Sequence, residues 1–150
     1  MIIPDESRCG DCTVCCEIMG YTGGWSFADR YNESEKYGID YGVWTTCNKL
    51  CDTGCSIHED KPKICEEFWC SYIQHDLEDH YRPKDFGFVA HKEPSRDEIG
   101  ILSMDKTLPP EIQYDNNKQQ LDSLIEEILV AEGKKMPVML HTKQGSIRLR

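Results

Sequence analysis

No stretch of the chain approaches the ~20 consecutive apolar residues that a membrane-spanning helix requires. The N-terminal MIIPDESRCG also lacks a basic segment followed by an apolar one, the layout of an export signal. A cytoplasmic protein, neither secreted nor membrane-spanning, is the expectation. Basic residues are scarce: 17 Lys and Arg stand against 27 Asp and Glu, a formal net charge of -10. A field of that sign repels phosphate backbones, so nucleic acid is not expected as a partner. The basic residues that do gather, Lys143, Arg148 and Arg150, read as a solvated strand end. Gly-rich dinucleotide and phosphate loops are missing, since Gly23 and Gly24 alone do not make one. The C-x3-C-x2-C run of radical SAM enzymes is missing too, and 150 residues are too few for their barrel.

Cysteine, by contrast, is abundant and unevenly placed. All 9 lie between Cys9 and Cys70, and the remaining 80 residues have none. A disulfide framework calls for an export signal and an even count. Clustered thiols in a reducing compartment read instead as metal ligands. The distribution divides the chain into a cysteine-rich metal-binding lobe over 1–80 and a small α+β lobe over 81–150, together of a size for one compact domain.

Between Cys16 and Cys47 runs a Gly- and aromatic-rich segment without helical or strand period, including Tyr21, Trp25, Phe27, Tyr31 and Trp44. It reads as irregular structure packed over the cysteine site. From Pro62 to His80, the apolar residues Ile64, Phe68, Tyr72 and Leu77, with Trp69 and Ile73, predict a helix that Asp60 caps. Two apolar runs, Phe86 to Ala90 and Ile99 to Met104, flank KEPSRDE and predict a hairpin. Leu121, Leu124, Ile125, Ile128 and Leu129 recur at helical spacing behind Asn116 and Asn117, with Gly133 and Pro137 as stop signals. A last hairpin spans Val138 to Thr142 and Ser146 to Arg150. The fold class is therefore α+β: an irregular cysteine-rich lobe with one helix, then a small antiparallel sheet with one helix in the order β-β-α-β-β.

The first chemical motif is CGDCTVCC, with Cys9, Cys12, Cys15 and Cys16; two-residue gaps let turns aim successive thiolates at one centre. Adjacent Cys15 and Cys16, in an extended segment, would point apart and reach two centres. The second motif holds Cys47, Cys51, Cys55, Cys65 and Cys70. If Cys65 and Cys70 share a helix, their offset sets them about 140° apart around its axis. Among the histidines only His58 lies within the cysteine motifs, and with thiolates in such supply no histidine is expected as a ligand.

CxxCxxCC at Cys9 to Cys16, followed by GCSIHEDKPKIC and Cys70 after EEFW, resembles the CxxCxxCC (YkgJ-type) family of zinc- or iron-chelating proteins. The resemblance covers about half the chain and implies Cys9, Cys12, Cys15, Cys16, Cys47, Cys55, Cys65 and Cys70 as metal ligands. Lys61, His58 and Glu66 depart from the family pattern, and Cys51 is an additional thiol. Eight thiolates suit two tetrahedral Zn2+ sites, or one [4Fe-4S] cluster with thiols to spare. The family's kinship with flagellin lysine N-methylase, associated with a [4Fe-4S] cluster, places iron–sulfur ahead of zinc. This chain is too short to carry the rest of that enzyme. The functional expectation is a metal-binding protein with a redox or modification role and a protein or small-molecule partner. The alternative is a non-enzymatic, zinc-stapled interaction module.

Overall fold

A computed structural model describes Arg8, residues 12–18, Lys36, Trp44, and residues 46–52, 54–56, 70–93 and 97–150. The chain falls into two compact units, Thr13–Phe68 and Met1–Cys12 together with Trp69–Arg150. Thr13–Phe68 is thus an insertion between two parts of one body, whereas the cysteine distribution alone suggested a single division near residue 80.

The larger unit is built on a four-stranded sheet of β3 (Phe88–Glu93), β4 (Glu98–Ser103), β5 (Val138–Thr142) and β6 (Gly145–Arg148), adjacent in that order. β3 pairs antiparallel with β4 and β5 antiparallel with β6, but β4 and β5 are parallel. The expected all-antiparallel sheet is therefore corrected to a mixed one. The link from β4 to β5 is helical, and a helix that returns the chain to the end where the previous strand began leaves the next strand parallel to it. That link holds two helices, α4 (Pro110–Asn116) and α5 (Lys118–Glu132), where one was expected. Pro110 occupies the first turn of α4, where the missing N–H costs nothing.

Leu121, Leu124, Ile125 and Ile128 of α5 are all buried, in one cluster with Phe88, Ala90, Ile99, Ile101, Val138 and Leu140. Those six residues share one face of the sheet by the strand pairing. Gly133 ends α5 at φ 71, and its N–H bonds the carbonyls of Leu129 (3.0 Å) and Val130 (3.1 Å). Asn117 stands at the N-cap position, but its side chain donates back to the Gln113 carbonyl at 2.8 Å. The helix start therefore rests on the joint with α4. Buried Gln113 locks the loop before α4: its Nε2 donates to the carbonyls of Leu108 (2.8 Å) and Asp105 (3.2 Å), while its Oε1 accepts from Ser103.

The opposite sheet face is also largely out of water, since Val89, His91 and Leu102 are buried. β4 is covered on both faces, which accounts for its apolar run without alternation. His91 lies across the ladder from Gly100, and a Cβ at residue 100 would come within 2.9 Å of the His91 Nε2. Burial holds the imidazole neutral, pushing its pKa down to about 4, with His141 adding repulsion and Glu98 opposing it.

The predicted helix over 62–80 lies outside the described residues up to Trp69. In the remainder, Cys70 is extended (φ -69, ψ 158) and α2 spans only Ser71–Gln74. A 3-10 turn at Asp79–Tyr81 and α3 (Pro83–Phe86) follow. A helix continuous through Cys70 to His80 is therefore corrected to short turns. α2 ends because Asp76 takes a left-handed conformation (φ 52), with Leu77 N–H bonding the Tyr72 carbonyl (3.1 Å) and Asp76 N–H that of Ile73 (3.4 Å). This is a Schellman motif with aspartate in glycine's usual place. No helix among the described residues is long and apolar enough to cross a membrane.

Two predictions follow from the His91–Gly100 pair. Gly100→Ala should lower stability by about 1–3 kcal/mol through overpacking, read as the urea midpoint; an unchanged midpoint would show that the ring moves aside freely. Because the folded-state pKa of His91 lies below its unfolded value, its contribution is complete above pH 6.5 and is lost as pH falls towards 4. Wild-type protein should lose up to about 3 kcal/mol over that window. A His91→Gln variant should lack this part of the acid slope, and superimposable slopes would sink the assignment.

Candidate metal centre

Seven of the cysteines lie among the described residues: Cys15, Cys16, Cys47, Cys51 and Cys55 in the inserted unit, and Cys12 and Cys70 in the larger one. None of the seven is in a disulfide. Cys9 and Cys65 lie outside the described residues, as does His58.

Cys15 and Cys16 sit on a single helical turn, α1 (Val14–Ile18). Val14 and Ile18, four residues apart, are both buried and set the inward face. Thr13 Oγ1 donates to Glu17 Oε2 at 3.1 Å, and Cys16 N–H bonds the Thr13 carbonyl at 2.9 Å. The expectation of an extended pair pointing to opposite sides is thus corrected: on a helix the two thiols diverge by about 100°, with Cys15 exposed and Cys16 half-buried.

Two backbone bonds join the second motif to the end of α1. Trp44, at φ 59, donates its N–H to the Ile18 carbonyl (2.8 Å), and Cys47 donates to the Cys16 carbonyl (2.7 Å). Cys47 then opens a turn: its carbonyl accepts Leu50 N–H at 3.1 Å, and its Sγ accepts Lys49 N–H at 3.4 Å. The turn leads into a ribbon of β1 (Leu50–Cys51) and β2 (Gly54–Cys55), with Leu50 opposite Cys55 and Cys51 opposite Gly54. Ser56 N–H to the Lys49 carbonyl (2.7 Å) extends the ladder.

This register separates the thiols. Neighbouring residues on a strand face opposite sides, so Cys55, across from Leu50, lies on the other face of the ribbon from Cys51. Cys51 is exposed there, whereas Cys47 is 8 % exposed. Burial raises the Cys47 pKa, and the nearby thiols of Cys16 and Cys55 raise it further, against the N–H bonds from Lys49 and Leu50. Cys16, Cys47 and Cys55 therefore share one electrostatic neighbourhood. The donor chemistry of that neighbourhood, with amides directed at sulfur and thiols that repel one another's charge, fits a soft metal centre. Among the described residues, no group of three or more His, Cys, Asp or Glu is gathered closely enough to hold a metal ion.

In the larger unit, half-buried Cys70 packs against the core at the N-cap position of α2, and its carbonyl accepts Ile73 N–H (3.0 Å) and Gln74 N–H (2.9 Å). The described histidines all lie in this unit: His75 bonds Glu132 (3.0 Å), His80 bonds Glu78 (3.3 Å), His141 bonds Ser146 (2.8 Å), and His91 is in the sheet.

Sequence reasoning passed over Arg8, the residue before Cys9. Its guanidinium bonds the Leu77 carbonyl, the Asp76 carboxylate and Asp79 Oδ1 (3.1 Å), and lies 4.4 Å from the centre of the Tyr72 ring. Tyr72 Oη in turn donates to Asp79 at 2.9 Å, and Asp79 is held below the usual carboxylate range by Tyr72 and Arg8. Arg8 thereby fastens the start of the first cysteine motif to the Schellman turn. Nothing in the local sequence signals this, because its acceptors arise from a turn 69 residues away.

No family model, curated protein or solved structure matches this chain.

Arg8→Ala should destabilise the larger unit by about 1–2 kcal/mol, through loss of the carbonyl and carboxylate bonds and of the cation–π contact. Thermal unfolding of the full chain followed by far-UV circular dichroism checks this, and an unshifted midpoint would mean that the clasp is ornamental.

Proposed function

We propose that the chain is a cysteine-ligated metal protein, with Cys9, Cys12, Cys15, Cys16, Cys47, Cys55, Cys65 and Cys70 as the thiolate donors and iron–sulfur favoured over zinc. The observation that carries the reading is the docking of Cys47 on the Cys16 carbonyl at 2.7 Å, with Lys49 N–H directed at the Cys47 sulfur at 3.4 Å. That bond joins two motifs far apart in sequence through their cysteines, and amide donors to sulfur are what thiolate centres use to hold their charge. The resemblance to the CxxCxxCC family supports the same donor set and is the ground for placing iron ahead.

A bound cation or cluster would supply redox or Lewis-acid chemistry. The protein's part is to hold the donors deprotonated and oriented. Burial and neighbouring thiols disfavour the Cys47 thiolate without a cation, so metal loading releases protons and weakens as pH falls. Cys51, on the other face of the ribbon, stays outside the donor set. A cytoplasmic, reducing location belongs to this proposal, since free thiols persist there. The partner is a protein or small molecule; the charge of -10 leaves nucleic acid and anionic membrane surfaces aside.

The second reading, a zinc-stapled interaction module, takes the same thiolates as a closed site that holds the inserted unit together, starting from the shared neighbourhood of Cys16, Cys47 and Cys55.

Iron, zinc and acid-labile sulfide should be measured on protein purified without oxygen. The proposal expects metal in the wild type and in Cys51→Ser, and its loss or marked reduction in Cys47→Ser, Cys12→Ser and Cys65→Ser. Iron with matching sulfide identifies a cluster, and zinc without sulfide identifies the module. Metal-free wild type, or full occupancy in Cys47→Ser, would overturn the donor assignment.

A further inference from the structure

Cys70, one of the proposed donors, stands at the start of α2, and α2 is a single turn of four residues, too short to hold its own direction. What fixes it lies at its other end. His75 closes the turn with its N–H on the Ser71 carbonyl at 2.9 Å. Its Nε2 meets Glu132 Oε1 at 3.0 Å, and both side chains are only 11 % exposed. A carboxylate accepts and does not donate, so the ring nitrogen is the donor. The second oxygen of Glu132 faces Lys92 Nζ at 3.8 Å, and Lys92 lies 3.6 Å from Asp97. Glu132 is thus held through both oxygens, and α2 is tied through His75 to the last residue of α5.

Two features of this tie run against local preference. Glu132 puts a negative charge on the last turn of a 15-residue helix, the end where the helix dipole disfavours it. Asp76, next after His75, holds the left-handed conformation (φ 52) that residues other than glycine seldom take. Positions that break a local rule persist where their surroundings over-determine them, and they gather at functional sites. Here both converge on His75, the residue that closes the Cys70 turn.

We propose that the His75–Glu132 pair positions the Cys70 thiolate. The pair touches no metal. It holds α2 in one orientation, so Cys70 is presented already ordered and metal binding does not have to freeze that turn. The inference rests on the reading of Cys70 as a donor, and it adds two residues that no cysteine pattern contains. Lys92 supports the pair through Glu132, and its own loss leaves the His75 bond in place. Outer-shell residues that orient a ligand change metal affinity by about ten- to a hundredfold when they are removed.

The test titrates Co2+ into the full, reduced, metal-free chain against a competing chelator and reads the thiolate-to-cobalt charge-transfer band, with the urea midpoint measured on each variant. Glu132→Ala and His75→Ala should each bind Co2+ about tenfold more weakly. The double variant should bind no more weakly than either alone, since both remove one bond. Glu132→Gln should keep wild-type affinity, because its amide oxygen still accepts from His75, and Lys92→Ala should keep it too. The deciding readout is the cycle with Cys70→Ser. In that background Glu132→Ala should cost no further affinity, whereas a general weakening of the fold would add its effect there as well. Should Glu132→Ala fail to fold, His75→Ala carries the same cycle. Wild-type affinity in both alanine variants, or an undiminished effect in the Cys70→Ser background, would refute the proposal and leave Cys70 a donor. Wild-type affinity in Cys70→Ser would instead remove the donor assignment beneath it, and the proposal with it.

Discussion

The larger unit depends on β4, the strand that must be buried on both faces. Ile99 and Ile101 enter the cluster formed with α5, while Gly100 and Leu102 look the other way, where Gly100 makes room for the buried His91 ring. With β3 antiparallel on one side and β5 parallel on the other, β4 leaves neither edge free. The helical crossover, the parallel pairing and the fit between His91 and Gly100 all follow from placing this strand at the centre. An apolar residue larger than glycine at 100 would satisfy the hydrophobic pattern yet oppose the packing.

The inserted unit is governed by a different economy. Its order, where described, comes from backbone hydrogen bonds between short elements: one helical turn, one two-residue ribbon, and the bonds of Trp44 and Cys47 to the end of α1. Such bonds contribute about 1 kcal/mol each at most when water competes for the same groups. The cysteines ride on that framework: Cys47 is bonded to the end of α1, and Cys16 and Cys55 lie in its electrostatic neighbourhood.

Much of the larger unit could be read from sequence. The Leu121-to-Ile128 stripe located α5, Gly133 stopped it, and the run from Val138 to Thr142 is a strand as read. The first hairpin was found but shifted, because polar His91, Lys92 and Glu93 continue β3 into what read as a turn. α4 was hidden behind two prolines, and the parallel step between β4 and β5 depends on where the crossover returns, which no local pattern encodes. For the thiols, spacing grouped the residues but did not indicate that Cys15 and Cys16 share a helical turn, or that Cys51 and Cys55 lie on opposite faces of a ribbon. Arg8 was illegible for a plainer reason: its partners are two exposed aspartates, a carbonyl and a ring whose convergence exists only once α2 has ended in a left-handed aspartate.

The clasp made by Arg8 also has a topological meaning. By bonding Leu77 it closes a loop that contains all 9 cysteines. Loop closure carries an entropic cost that grows slowly with length, and here the larger unit meets that cost through its own packing. Thiols within a loop already closed encounter one another at a higher effective concentration than thiols on an open chain. By linkage the favour is returned: whatever draws the two cysteine motifs together shortens the free chain that Arg8 must restrain, so closure at the neck and gathering within the loop reinforce each other.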